Sequence, residues 1–165
     1  TVHYVAGLAL PLPLVVGAIA SRSFRADVRA LNRFLPGDWR WLRAGNRRDG
    51  SFPSGKFNAG QKLNSAFVLG AVIALFVTGL MLRYFSAFPD DIRTGATFVH
   101  DVFAAAVVVV SGGHLWMAWQ DPEARRGLRT GVVSRRWAQR EHALWAATAP
   151  GEPLGDPPAP PRDHP

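Results

Sequence analysis

The sequence predicts an all-α membrane protein, an up-and-down bundle of three transmembrane helices with an amphipathic segment on the cytoplasmic side. Two observations predict it. Apolar residues gather in runs free of Lys and Arg, from Tyr4 to Ala20, Leu63 to Leu82 and Ala96 to Trp119, which are 17, 20 and 24 residues long. A helix of about 20 such residues crosses a bilayer. Basic residues are sorted around those runs: ten of the 19 Lys and Arg lie between Arg22 and Lys62, seven follow Trp119, and between the second and third runs there are only Arg83 and Arg93. Cysteine is absent, which removes disulfides and thiolate metal sites from the chemistry open to the chain. Hydropathy averaged over the whole chain is near zero and would suit one basic soluble domain, but the average hides the segregation.

The first span, about 3–20, is the shortest. Pro11 and Pro13 lie inside it, remove helix hydrogen bonds and predict a bend. The basic loop 22–62 and the C-terminal tail are cytoplasmic by the positive-inside rule, with the N-terminus and residues 83–95 outside. Phe34, Trp39 and Trp41 among the loop's basic residues would suit a nucleic-acid surface. The flanking spans already account for the charge, so no nucleic-acid partner is expected. Within the loop, SFRADVRALNRFL sets Phe24, Val28, Leu31 and Leu35 on one helical face, with Ser23 as N-cap and Pro36-Gly37 as stop. It reads as a helix on the inner membrane surface, arginines toward anionic headgroups; a solvated connector is the plainer alternative.

The second span, about 63–82, follows KFNAGQK. That stretch combines a glycine that lets backbone approach closely with two amides able to pair with a carbonyl, Asn58 and Gln61 flanking Gly60. The same residues would equally start and cap a helix. The third span, about 96–119, holds TFVHDVFAAAVVVVSGGHLWMAW, with histidines 14 residues apart at 100 and 114. At 3.6 residues per turn they fall within about 40° of one face, and lie roughly 21 Å apart along the axis. With the N-terminus outside, His3 and His100 share a depth near the outer face and His114 lies near the inner one.

Ionisable side chains within a bilayer are costly, about 2.5–3.5 kcal/mol for Lys, Arg or Asp on insertion scales, and mark candidate functional sites. A neutral histidine bonded to a neighbouring helix is the plain reading of any one of them. Haem, zinc, a proton relay or a quinone contact could use them. Zinc wants four tetrahedral ligands, and the only nearby acid, Asp101, points about 100° away from His100. A proton relay needs titrating partners across the membrane, and the middle span has none. A b-type haem needs one histidine from each of two helices, which His3 and His100 supply, whereas covalent attachment through C-x-x-C-H is excluded. Gly7 and Ala104, each one turn past a histidine, leave room for a flat macrocycle and are equally ordinary in helix packing.

After the third span, PGEPLGDPPAPPRDHP supports neither core nor helix, so 1–149 reads as the membrane domain and 150–165 as a disordered Pro-rich tail that leaves His164 without a role. His142 lies beyond the membrane and reads as a solvated histidine.

KFNAGQKLNSAF, VTGLML, the H-x13-H of the third span and GLRTGVVSRRWAQREHALW together resemble the cytochrome b (gamma) subunits of respiratory formate dehydrogenases, within the bacterial di-haem transmembrane cytochromes b. The resemblance runs from His3 to about Trp145. It implies four helices and two b haems, an outer one held by the second and fourth helices and an inner one held by the first and fourth. Matched by position, His3 and His100 resemble the outer pair of axial ligands, and His114 one ligand of the inner haem. The family's first helix has no counterpart here, so the sequence is expected to be a piece of a longer chain, binding one or two haems. The stretch matching Asn58, Gly60 and Gln61 lies in that family at the quinone site, which implies menaquinone or ubiquinone as acceptor. Asp101, beside the outer ligand, is expected to bond locally or face a partner subunit.

The resemblance thus implies a non-catalytic electron-transfer subunit in the bacterial inner membrane. Its partners would be an iron–sulfur beta subunit and a molybdenum or tungsten catalytic alpha subunit, passing electrons from formate on the periplasmic side to the quinone pool. A related cytochrome b serving hydrogenase or thiosulfate reductase, and a haem-free membrane anchor, are the alternatives.

Overall fold

The computed structural model describes residues 2–44 and 53–148. Among them every regular element is helical, and three helical stretches are long and apolar enough to cross a membrane: Val2–Ala20, Ala59–Arg83 and Asp90–Gln120. The tail from residue 150, and Arg47 and Arg48 of the loop, lie outside the described residues. Two compact units are distinguished, Thr1–Arg33 with Gln61–His114, and Phe34–Gly60 with Leu115–Pro165.

The first unit contains the opening apolar span and all but one end of each of the two long apolar helices. Its opening span is broken as the prolines require: α1 (Val2–Ala9) ends before Pro11, and α2 (Leu12–Ala20) starts immediately after it with Pro13 in its first turn, where the missing N–H is harmless. Ser21 then closes α2 and caps α3 (Arg22–Leu31), its hydroxyl accepting from Phe24 N–H at 3.1 Å. The cap is therefore Ser21 and not Ser23, whose hydroxyl instead meets that of Ser21; the helix begins two residues earlier because α2 runs directly into it. Arg25 turns back to donate to the carbonyls of Ala18 and Ile19, both at 2.9 Å, placing a cation on the negative end of α2. Phe24 fills the space over Gly17, where an added Cβ would come within 3.1 Å of its ring.

The second apolar helix, α5 (Ala59–Arg83), has 25 residues and the third, α6 (Asp90–Gln120), has 31. At 1.5 Å per residue the latter is about 46 Å long, more than the roughly 30 Å of a hydrocarbon core. Both outrun the spans expected from apolarity alone because their polar ends continue the helix. Asp90 and Asp91 sit in the first turn of α6, with Asp90 paired to Arg93, a favourable sign at a helix N-terminus. Val108 and Val109 are over 70% exposed and Leu115, Trp116 and Trp119 nearly as open. In water such a surface would be a liability; for a helix in lipid it matches the solvent.

The second unit is short helices and connections. After α3 the chain leaves the helix at Asn32, and Pro36 opens a new helix, α4 (Pro36–Arg43), instead of merely stopping the old one; proline suits the first helical turn. Asp38 accepts from Leu35 N–H at 2.6 Å, and Trp41 is buried, its ring against Gly60. Beyond α6, Asp121 caps α7 (Pro122–Thr130) with one carboxylate oxygen and receives the Trp137 indole N–H on the other. The helix ends at Gly131, φ 73°, a left-handed C-terminal position that favours glycine. Ser134 caps α8 (Arg135–Glu141), and α9 (Ala143–Thr148) follows.

Candidate functional site

His3, on α1, and His100, on α6, are brought together. Their ring centroids are 6.1 Å apart with planes at 78°. The two rings border a cavity of about 380 Å³ walled mostly by apolar and small side chains, Gly7, Leu75, Phe76, Gly79 and Ala104 among them. Gly7 and Ala104 thus lie where their spacing from the histidines put them. A Cβ on Gly7 would meet nothing within 4 Å, while one on Gly79 would lie 3.4 Å from Cε1 of His100, so Gly7 borders open space and Gly79 lets the imidazole lie close to the α5 backbone.

Polar groups enter the site at two points. Thr78 is 7% exposed and lies 2.9 Å from Nδ1 of His100 through its hydroxyl, which also donates to the Ala74 carbonyl at 2.7 Å. Arg83 borders the same cavity with its guanidinium 5.2 Å from the Tyr4 ring centre and 5.4 Å from that of Tyr84, a cation over aromatic faces. Sequence reasoning missed both. For Thr78 a signal existed, since it is the lone hydroxyl between Ala66 and Arg83.

His114 is exposed near the far end of α6. Gly112 and Gly113 beside it have open space where side chains would be, and no second histidine of its unit meets it, His100 lying about 21 Å back along the helix. Asn58 immediately precedes α5, and Gly60 and Gln61 are in its first turn; Oδ1 of Asn58 stands 3.4 Å from where a Gly60 Cβ would be. Asp101 is exposed.

His142 corrects the expectation of a solvated residue: it is 5% exposed, packed between Trp137 and Trp145 at ring separations of 5.2 and 6.5 Å. Its Nδ1–H donates to the Gly55 carbonyl at 2.9 Å, and Ser54 ties the same segment to Glu141 and Leu144. The separation of 87 positions along the chain hid this pairing from local pattern. Nearby in the second unit, Glu123 holds the Ser134 N–H at 2.9 Å. That bond, with help from Arg126 and against desolvation, keeps its carboxyl below the ordinary value.

Comparison with known proteins decides the family. Residues 1–129 match the model of the prokaryotic cytochrome b561 family. The chain belongs to that family. Two curated relatives are the nitrate-inducible formate dehydrogenase cytochrome b556(Fdn) subunit of Escherichia coli, 32% identical over 96 residues, and the formate dehydrogenase cytochrome b556 subunit of Haemophilus influenzae, 33% identical over 97. The matched stretch is 55% and 56% of this chain but 43% and 40% of theirs, so the chain spans less than half the length of these relatives. As a cytochrome b561 it is an integral membrane cytochrome b of electron transfer, and haem b is the group the family implies. The residues present fit such a group. His3 and His100 present two imidazoles from different helices at one largely apolar cavity, their ring centroids 6.1 Å apart. Neutral imidazole is the donor a b haem takes on both faces.

Proposed function

We propose that His3 and His100 hold one haem b, and that the chain is the membrane subunit through which a dehydrogenase delivers electrons to quinone. The single observation that carries this reading is the 6.1 Å pairing of the two rings at an apolar cavity. Bound there, haem b supplies one-electron exchange, its potential set by ligands, burial and hydrogen bonds. The chain's own residues do the rest: α1 and α6 present the ligands, Gly7, Gly79 and Ala104 leave room, and Leu75 and Phe76 exclude water.

His114 is a ligand of a second haem b. Asn58, Gly60 and Gln61 contact the quinone, menaquinone or ubiquinone: amides offer donors to a carbonyl and the glycine lets it approach the backbone. Residues 1–149 form the membrane domain, with the loop 22–62 and the tail cytoplasmic by their charge. The donor is a formate dehydrogenase with iron–sulfur and molybdenum or tungsten subunits on the periplasmic side, as similarity to the two cytochrome b556 subunits suggests.

The test is a reduced-minus-oxidised visible spectrum of the purified protein, followed by addition of a quinone analogue. A b-type spectrum that is reoxidised by quinone, and more slowly in Asn58→Ala and Gln61→Ala, supports the reading. Folded protein from haem-replete cells with no haem would make the chain a membrane anchor. Co-purification with a hydrogenase or thiosulfate reductase subunit in place of formate dehydrogenase would replace the donor.

A further inference from the structure

Thr78 holds the key to which nitrogen of His100 is free. Its hydroxyl has one proton and two lone pairs. The proton is directed along the helix, Oγ1 donating to the Ala74 carbonyl at 2.7 Å, the back-bond that threonine makes in helices. In a bilayer, where no water competes, such an internal bond is strongly retained. Oγ1 also lies 2.9 Å from Nδ1 of His100 and, its proton being used, can only accept there. Nδ1 must therefore bear the hydrogen. A neutral imidazole has one N–H, so Nε2 is left with its lone pair.

We infer that Thr78 is a positioning residue for His100: by accepting from Nδ1–H it fixes the tautomer, the ring orientation and the basicity of the ligating nitrogen. The opposite polarity, Thr78 donating to a bare Nδ1, would put the hydrogen on Nε2 and close that nitrogen to a metal. Acceptors behind a metal-bound histidine raise its basicity, and their loss typically costs 10–100-fold in metal affinity. A more basic imidazole favours ferric over ferrous iron, so removing the acceptor raises the midpoint potential. The inference rests on the ligand role proposed for His100.

The experiment compares Thr78→Val, the same shape without an oxygen, with Thr78→Ser, which keeps the oxygen. Haem affinity by titration of folded, haem-depleted protein should weaken about 10–100-fold in Thr78→Val, and be retained in Thr78→Ser. The midpoint potential should rise in Thr78→Val, by about 59 mV for each tenfold difference between ferric and ferrous affinity loss. Unchanged affinity and potential in Thr78→Val, or equal loss in Thr78→Ser, overturns the inference. Should Thr78→Val fail to fold, nitrogen NMR of the wild-type chain from haem-deficient cells decides. Hydrogen on Nδ1 of His100 supports the inference and hydrogen on Nε2 overturns it. His100→Ala serves as the separate control: if it keeps the haem, the ligand reading itself has failed, whatever Thr78 does.

Discussion

Gly79 is where the site can be perturbed most sharply. An added Cβ there would stand 3.4 Å from Cε1 of His100, an ordinary contact, so Gly79→Ala should be tolerated, helped by alanine's better helix propensity. Valine carries two further carbons about 1.5 Å beyond Cβ, occupying two of the three staggered positions. One directed at His100 would come within roughly 2–2.5 Å of the ring, about 1 Å inside contact, so the imidazole must move by about that much. Overpacking of this size costs about 1–3 kcal/mol, and ligands need placement to about 0.5 Å. The expected consequence is haem affinity weaker by roughly 5–150-fold in Gly79→Val at 1.36 kcal/mol per decade, with near wild-type affinity in Gly79→Ala. Haem titration followed by Soret absorbance, on samples whose helicity is checked by circular dichroism, measures it. Full haem affinity in Gly79→Val would refute the placement of His100 against Gly79.

In the second unit, His142→Ala leaves the Gly55 carbonyl without its donor and opens space between Trp137 and Trp145. It should destabilise by about 1–3 kcal/mol in a denaturation series, while leaving haem content at His3 and His100 unchanged. Glu123 gives a pH dependence. Its folded value lies below the ordinary 4.5, so its contribution is full above that value and is lost as pH falls through the lower folded one. Between the two, wild type should lose thermal stability faster than Glu123→Gln; equal slopes would disconnect Glu123 from the α7–α8 turn.

The spans were legible because length and apolarity are read directly off the chain, and the break at Pro11 because a missing N–H is a local fact. That His3 and His100 share a depth followed from the spans, and the structure sets their ring centroids 6.1 Å apart. Other features depend on register between elements. Thr78 reaches His100 across helices separated by 22 residues, which no periodicity within α5 reveals. The burial of His142 needs the segment at Ser54 and Gly55 to return against α8 and α9. The cap at Ser21 in place of Ser23 reflects the abrupt end of α2, and residues flanking a proline-broken helix give two serines equal claim. His114 stays as the sequence left it, one imidazole on an open helix face.

Haem counted per polypeptide in wild type, His3→Ala, His100→Ala and the double variant tests the central claim most directly. Two ligands of one haem act as a unit, so each single variant should lose the same haem and the double variant should lose no more. Haem content unchanged in His3→Ala and His100→Ala would contradict the account and return both histidines to ordinary helix packing.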